Sequence, residues 1–199
     1  MVLEIEYEIK ELVKAWAAIS LAFGIIILKQ TQDQVQKISF LSCIVIAALT
    51  VGLGFVAHEL CHRYFARKFG KHAEFKANNL VLILAIFMSF LGFVLAAPGA
   101  VIISGFVTRK EGGIIAASGP AANLALAVLF IPFLFIFPTI AYYGLMINAW
   151  LALFNLIPFP GFDGHRVLEW SKPAYILMLV IAIIINVLHI ILPNITHIL

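Results

Sequence analysis

The sequence predicts an all-α polytopic membrane protein with about six membrane segments. Three observations carry that expectation. Of 199 residues, 63% are hydrophobic and only 12% charged, against roughly a quarter charged in ordinary soluble domains. Uncharged apolar runs recur along the whole chain, several of them about as long as the ~20 residues a helix needs to cross a bilayer. Finally, a His-Glu-x-x-His motif sits at the end of one such run, where ionisable groups are expensive unless they serve a purpose.

The first run, Leu12 to Leu28, is interrupted by Lys14; Lys14 and Lys29 can snorkel to opposite interfaces and leave a short span. Ahead of it, Glu4, Glu6, Glu8 and Glu11 stand where a signal peptide would carry basic residues, so the first helix is expected to be retained. The second run, Ile38 to Ala57, continues through His58-Glu59-Leu60-Cys61-His62. The others are Asn79 to Ala97, Gly112 to Phe137, Ile140 to Ile157 and Ala174 to Leu192. Without a repeat, low-complexity tract or linker, residues 1–199 read as one domain. Leu192 to Leu199 lacks basic residues, which would fit a truncated chain. Cys43 and Cys61 both fall in expected helix and form no disulfide framework; Cys61 reads as a small packing residue.

The distribution of basic residues tests how the runs are threaded. If all six cross, Lys10, Lys14, Arg63, Arg67, Lys68, Lys71 and Lys76 face Lys29, Lys37, Arg109, Lys110, Arg166 and Lys172 across the bilayer, and no positive-inside bias results. If the stretch from Asn79 to about Val107 instead enters and returns, only Lys29 and Lys37 remain on the far side. The sequence supports such a re-entrant helix and strand. Pro98 and Gly99 oppose helix, whereas Val101, Ile102 and Ile103 favour strand. Extended backbone at membrane depth must line a protein cavity to satisfy its hydrogen bonds. The basic face, cytoplasmic by the positive-inside rule, is the end of the helix that carries the His motif. The cluster Arg63, Arg67, Lys68, Lys71 and Lys76, with Tyr64, Phe65 and Phe69, reads as an anchor to anionic lipid headgroups and not as a nucleic-acid patch.

On a helix, His58 and His62 share one face, where two imidazoles can bind one zinc ion and Glu59 can act as general base. Such a site needs a third protein ligand and one open position. Asp163, in Asn155-Leu156-Ile157-Pro158-Phe159-Pro160-Gly161-Phe162-Asp163-Gly164, is the candidate, because the re-entrant topology brings it out on the side of His62. By itself Asp-Gly is an ordinary turn signal. His72, His165, His189 and His197 read as peripheral, structural or solvated.

Taken jointly, His58-Glu59-x-x-His62, Ser118-Gly119-Pro120-Ala121-Ala122-Asn123 and Asn155-x-x-Pro158-x-Pro160-x-x-Asp163-Gly164 resemble the site-2 protease family of intramembrane zinc metalloproteases. The resemblance covers a catalytic core of about residues 38–164. It implies three core helices, one Zn2+ per chain held by His58, His62 and Asp163, and Glu59 activating the zinc-bound water. It further implies substrates that are transmembrane proteins, Asn123 and Asn155 as residues contacting substrate or the oxyanion, and a multi-pass cell-membrane location. No sequence resembling a PDZ domain is present. The rival readings are an inactive membrane scaffold and a zinc-binding or transport protein.

Overall fold

The computed structural model describes residues 2–31, 38–94 and 99–196. Each of the six apolar runs holds helix, and the α-helices of the described residues are, in order, α1 (Val2–Thr31), α2 (Phe40–Ala47), α3 (Leu53–Lys68), α4 (Asn79–Ser89), α5 (Arg109–Phe130), α6 (Pro138–Asn155), α7 (Asp163–Trp170) and α8 (Lys172–Thr196). Between α3 and α4 lies strand β1 (His72–Ala77), and between α4 and α5 strand β2 (Gly99–Ser104). Residues 95–98, including Pro98, Lys37 in the connection after α1, and His197 lie outside the described residues.

By length and composition, three helices among the described residues can cross a membrane: Glu6–Thr31, Phe40–Lys68 and Arg109–Phe135. Asn79–Ser89 and Lys172–Leu188 are shorter apolar helices. The architecture is that of a helical membrane protein. Its helix content is not complete, however, because β1 and β2 form an antiparallel pair with Phe75 opposite Val101 and Ala77 opposite Gly99. The sequence pointed to a strand after Pro98; β1 escaped that reading, although His-Ala-Glu-Phe-Lys-Ala alternates polar and apolar residues with the period of a half-buried strand.

The long second helix is continuous from Phe40 to Lys68 but contains one π turn, Ala48–Gly52. There the Leu53 N–H donates to Ala48 O, five residues back, and the Trp16 indole of α1 donates to the same carbonyl at 3.2 Å. A π turn inserts one residue into the helical repeat and so rotates everything downstream. The histidines of α3 are aimed by it.

Two apolar clusters flank α6. One joins α1, α2, α3 and β1 through Ile19, Ile27, Val51, Phe55 and Phe75; the other joins α5, α6, α7 and α8 through Leu124, Leu145, Leu156, Val167 and Ile185. Between them α5 packs against α3, α6 and α7. Its start is set by a capping box: the Glu111 N–H donates to Thr108 Oγ1, and the Thr108 N–H donates to Glu111 Oε2 at 2.8 Å. Each partner satisfies a helix-end donor that would otherwise be unpaired. Replacing Thr108 with Ala should therefore lower stability by about 1 kcal/mol, read as a reduced melting temperature of the detergent-solubilised protein. An unchanged melting temperature would remove the cap from the account.

Candidate metal centre

Three elements converge on one point. His58 and His62 are four residues apart on α3 and face α5; both are buried. Asp163 opens α7, which begins after a turn at Gly161 with φ of +103°. That backbone conformation suits glycine because it has no Cβ to collide with the following carbonyl. The turn folds α7 back beneath the end of α6 and brings the Asp163 carboxylate to the histidines.

The distances are those of a ligand set. His58 Nε2 and His62 Nε2 lie 2.9 Å apart, and Asp163 Oδ2 lies 3.2 Å from each. Zinc bonded at about 2.0–2.1 Å in tetrahedral geometry separates its ligands by about 3.3 Å, so one ion fits after shifts of a few tenths of an ångström. The donor chemistry fits as well. His58 Nδ1 is 2.7 Å from Asn123 Oδ1, and His62 Nδ1 is 2.7 Å from Ile115 O. Both acceptors require a proton on Nδ1, which leaves the two Nε2 lone pairs facing each other and a carboxylate oxygen. Three electron-rich atoms at this spacing need a cation among them.

Behind the histidines runs a chain of buried amides. Asn123 Nδ2 donates to Gly54 O at 3.0 Å and to Asn148 Oδ1 at 3.1 Å, and Asn148 Nδ2 donates to Gly144 O at 2.9 Å. With both donors engaged, the Asn123 carbonyl is turned to His58. Asn123 and Asn148 are fully buried. On α5, Pro120 lacks the N–H that would close the turn onto Ala116. In that turn, Ile115 O accepts from both His62 and Ser118. A Cβ on the neighbouring Gly119 would come within 2.4 Å of His62 Nε2 and 2.6 Å of His58 Cε1. Only glycine leaves room for the imidazole pair at this approach.

The site opens into a cavity of about 270 Å³ lined by His58, Glu59, His62, Asn155, Asp163 and one face of β2 at Gly99, Val101 and Ile103. Glu59 is 8% exposed. On α3 it lies about 60° around the axis beyond His62, so it borders the same space. The structure thus brings His58, Glu59, His62, Asn155 and Asp163 to one cavity and sets Asn123 behind His58. Asn155 Nδ2 donates to Leu151 O one turn back. His165, read as peripheral, also lines the cavity and is paired with Glu169 at 3.6 Å. Asn148 escaped the sequence reading, although a second amide inside the apolar run of α6, besides Asn155, was a usable signal.

Comparison with known proteins agrees with this geometry. The chain is 42% identical over 135 residues to putative zinc metalloprotease MJ0611 of Methanocaldococcus jannaschii, covering 64% of this chain and 71% of that protein. It is 32% identical over 152 residues to putative zinc metalloprotease YwhC of Bacillus subtilis, covering 63% of this chain and 68% of that one. The chain belongs to this zinc metalloprotease family. Putative zinc metalloprotease Rip2 of Mycolicibacterium smegmatis is 28% identical over 159 residues, 61% of its length. No family model and no solved structure matches the chain. For a member of this family the implied cofactor is zinc, and among the described residues His58, His62 and Asp163 are the group able to hold one ion.

Residues that orient a ligating histidine typically contribute 10- to 100-fold to metal affinity. Asn123→Ala should weaken zinc binding by roughly that factor, measured by competition with a chromogenic chelator, while Gly119→Ala should abolish it. Wild-type affinity in either variant would contradict the packing described.

Proposed function

We propose that the protein is an intramembrane zinc endopeptidase of the site-2 protease type, hydrolysing peptide bonds of transmembrane substrate helices. The observation that carries this reading is the buried meeting of His58, His62 and Asp163 beside Glu59, on a helix long and apolar enough to cross a bilayer. Zinc, when held by the three ligands, supplies a Lewis acid that brings water's pKa to about 7 and polarises a peptide carbonyl. Glu59 takes the proton of the attacking water and returns it to the leaving amine. Asn123 orients His58 through its Nδ1, in place of the oxyanion contact the motif implied; Asn155, on the cavity wall, faces the substrate. Substrate must unwind before it can react, because a transmembrane helix hides its carbonyls in hydrogen bonds. The free edge of β2 along the cavity offers the unwound segment a partner by strand addition.

The same reading includes the re-entrant path, six membrane segments and a core of α3, α5 and α6. Ala77 and Gly99 are strand partners, so the chain leaves and returns to one place. At the far end of that excursion Phe90 O accepts from Lys29 Nζ at 2.6 Å, whereas at its base Ala77 N donates to Glu11 of the same helix. The two contacts lie eighteen residues apart on α1, about 27 Å along the axis, close to the ~30 Å of a hydrocarbon core. α4 by itself has 11 residues. The hairpin, the end of α3 and the start of α5 would then share the cytoplasmic face of a multi-pass protein of the cell membrane, with the metal centre just below it and lipid around the helices.

Two measurements test the proposal. Glu59→Gln should retain zinc and lose cleavage of a synthetic transmembrane substrate by at least about 100-fold, and a chelator should abolish wild-type cleavage reversibly. A wild-type protein that binds zinc but cuts no helix would favour a scaffold. In a background without Cys43 and Cys61, cysteines at Lys76 and Arg109 should react with a membrane-impermeant thiol reagent from one side, and a cysteine at Lys29 from the other. Labelling of Lys76 and Arg109 positions from opposite sides would refute the re-entrant path.

A further inference from the structure

A two-stranded sheet has two outer edges, and unpaired backbone groups at membrane depth are strongly unfavourable. In this hairpin the β1 edge is covered by side chains. Phe75 N donates to Glu8 Oε1 at 3.1 Å and Ala77 N to Glu11 Oε2 at 3.1 Å. Between α3 and the same edge, Arg67 donates to Ala73 O through Nη2 at 2.7 Å and Nε at 3.1 Å. Residues 73, 75 and 77 alternate, so all three contacts fall on one side of the strand. Glu8 and Glu11 are one turn apart on α1 and meet alternate residues of β1 as a third strand would.

Glu8 does more than cover an edge. Its other oxygen pairs with Arg63 Nη2 at 2.7 Å and with Arg67 Nη2 at 3.5 Å. Arg63 directly follows His62. One buried carboxylate, with its side chain 4% exposed, therefore ties the hairpin to the helix that carries both histidines. Glu6, by contrast, points outward to Lys10.

The register follows from these bonds. Since Phe75 and Ala77 turn their N–H groups to α1, the residues hydrogen-bonded across the hairpin are His72, Glu74 and Lys76, opposite Ser104, Ile102 and Ala100. Gly99, Val101 and Ile103 are left with their N–H and C=O groups on the outer edge of β2, and all three line the metal cavity.

We propose that Glu8 and Glu11 are positioning residues that act as a surrogate third strand: they cover the β1 edge and hold β2 so that its free edge, at Gly99, Val101 and Ile103, meets an extended peptide at the metal centre. The substrate half of this proposal rests on the protease reading; the structural half does not. Hydrogen exchange on the full-length protein in lipid nanodiscs tests the structural half. Glu8→Ala and Glu11→Ala should each speed amide exchange across residues 72–77 by about tenfold or more, the scale of one lost charge-assisted hydrogen bond. Glu8→Gln, which keeps a carbonyl acceptor, should be affected less. Kinetics with a synthetic transmembrane peptide test the other half: KM should rise several-fold while kcat and zinc content stay within about twofold. Where Glu8→Ala fails to fold, Glu11→Ala and Glu8→Gln decide the matter. Unchanged exchange over 72–77, or loss of zinc and kcat with KM unaltered, would overturn the proposal. A wild-type protein that cleaves nothing would refute the protease reading and the substrate half with it, and the exchange result would still decide the clamp.

Discussion

Three lone pairs pointing at one another from within 3.2 Å, two imidazole and one carboxylate, form the constraint on which the rest of the structure depends. Such an arrangement is repulsive unless a positive charge sits among the three atoms, and it collapses unless the backbone holds each of them from behind. Much of the fold meets that second demand. Asn123 and the Ile115 carbonyl fix the two imidazoles, Gly119 allows α5 close enough to supply them, and the turn at Gly161 delivers the carboxylate.

Support extends outward through buried polar groups. Asn123 is itself held by Asn148, which bonds into α6, so the setting of His58 depends on a helix that contributes no ligand. Each amide nitrogen and oxygen has a partner, which favours a unique packing of buried polar groups. The π turn at Ala48–Gly52, stitched to α1 by Trp16, sets the rotation of α3 from the opposite side. Zinc chemistry in this family member thus draws on α1, α3, α5, α6 and α7 together.

The hairpin meets the same constraint in another form. A strand edge shielded from water needs partners for its backbone groups. Here one edge is covered by Glu8, Glu11 and Arg67, and the other borders the cavity that holds the metal ligands. These charged residues are accommodated because they complete the hydrogen bonding of a strand, and because Glu8 pairs with Arg63 and Arg67.

Much was legible in the residues alone. Apolar length marked every major helix, since transfer of a run into hydrocarbon depends on composition and hardly on neighbours. The spacing of His58 and His62 put both on one helical face, because the period of a helix is local, and Asp163, read from its own motif as the third member, does meet them. What tertiary structure decided were matters of contact between distant segments. Strand β1 carries its own polar–apolar alternation, but what completes its outer edge, Glu8 and Glu11, lies more than sixty residues away. Asn123 read as a substrate contact from its motif and stands instead behind His58, a choice made by Gly54 and Asn148 occupying its donors. Local chemistry named the candidate ligands, and only packing between distant helices could determine which atoms hold them in place.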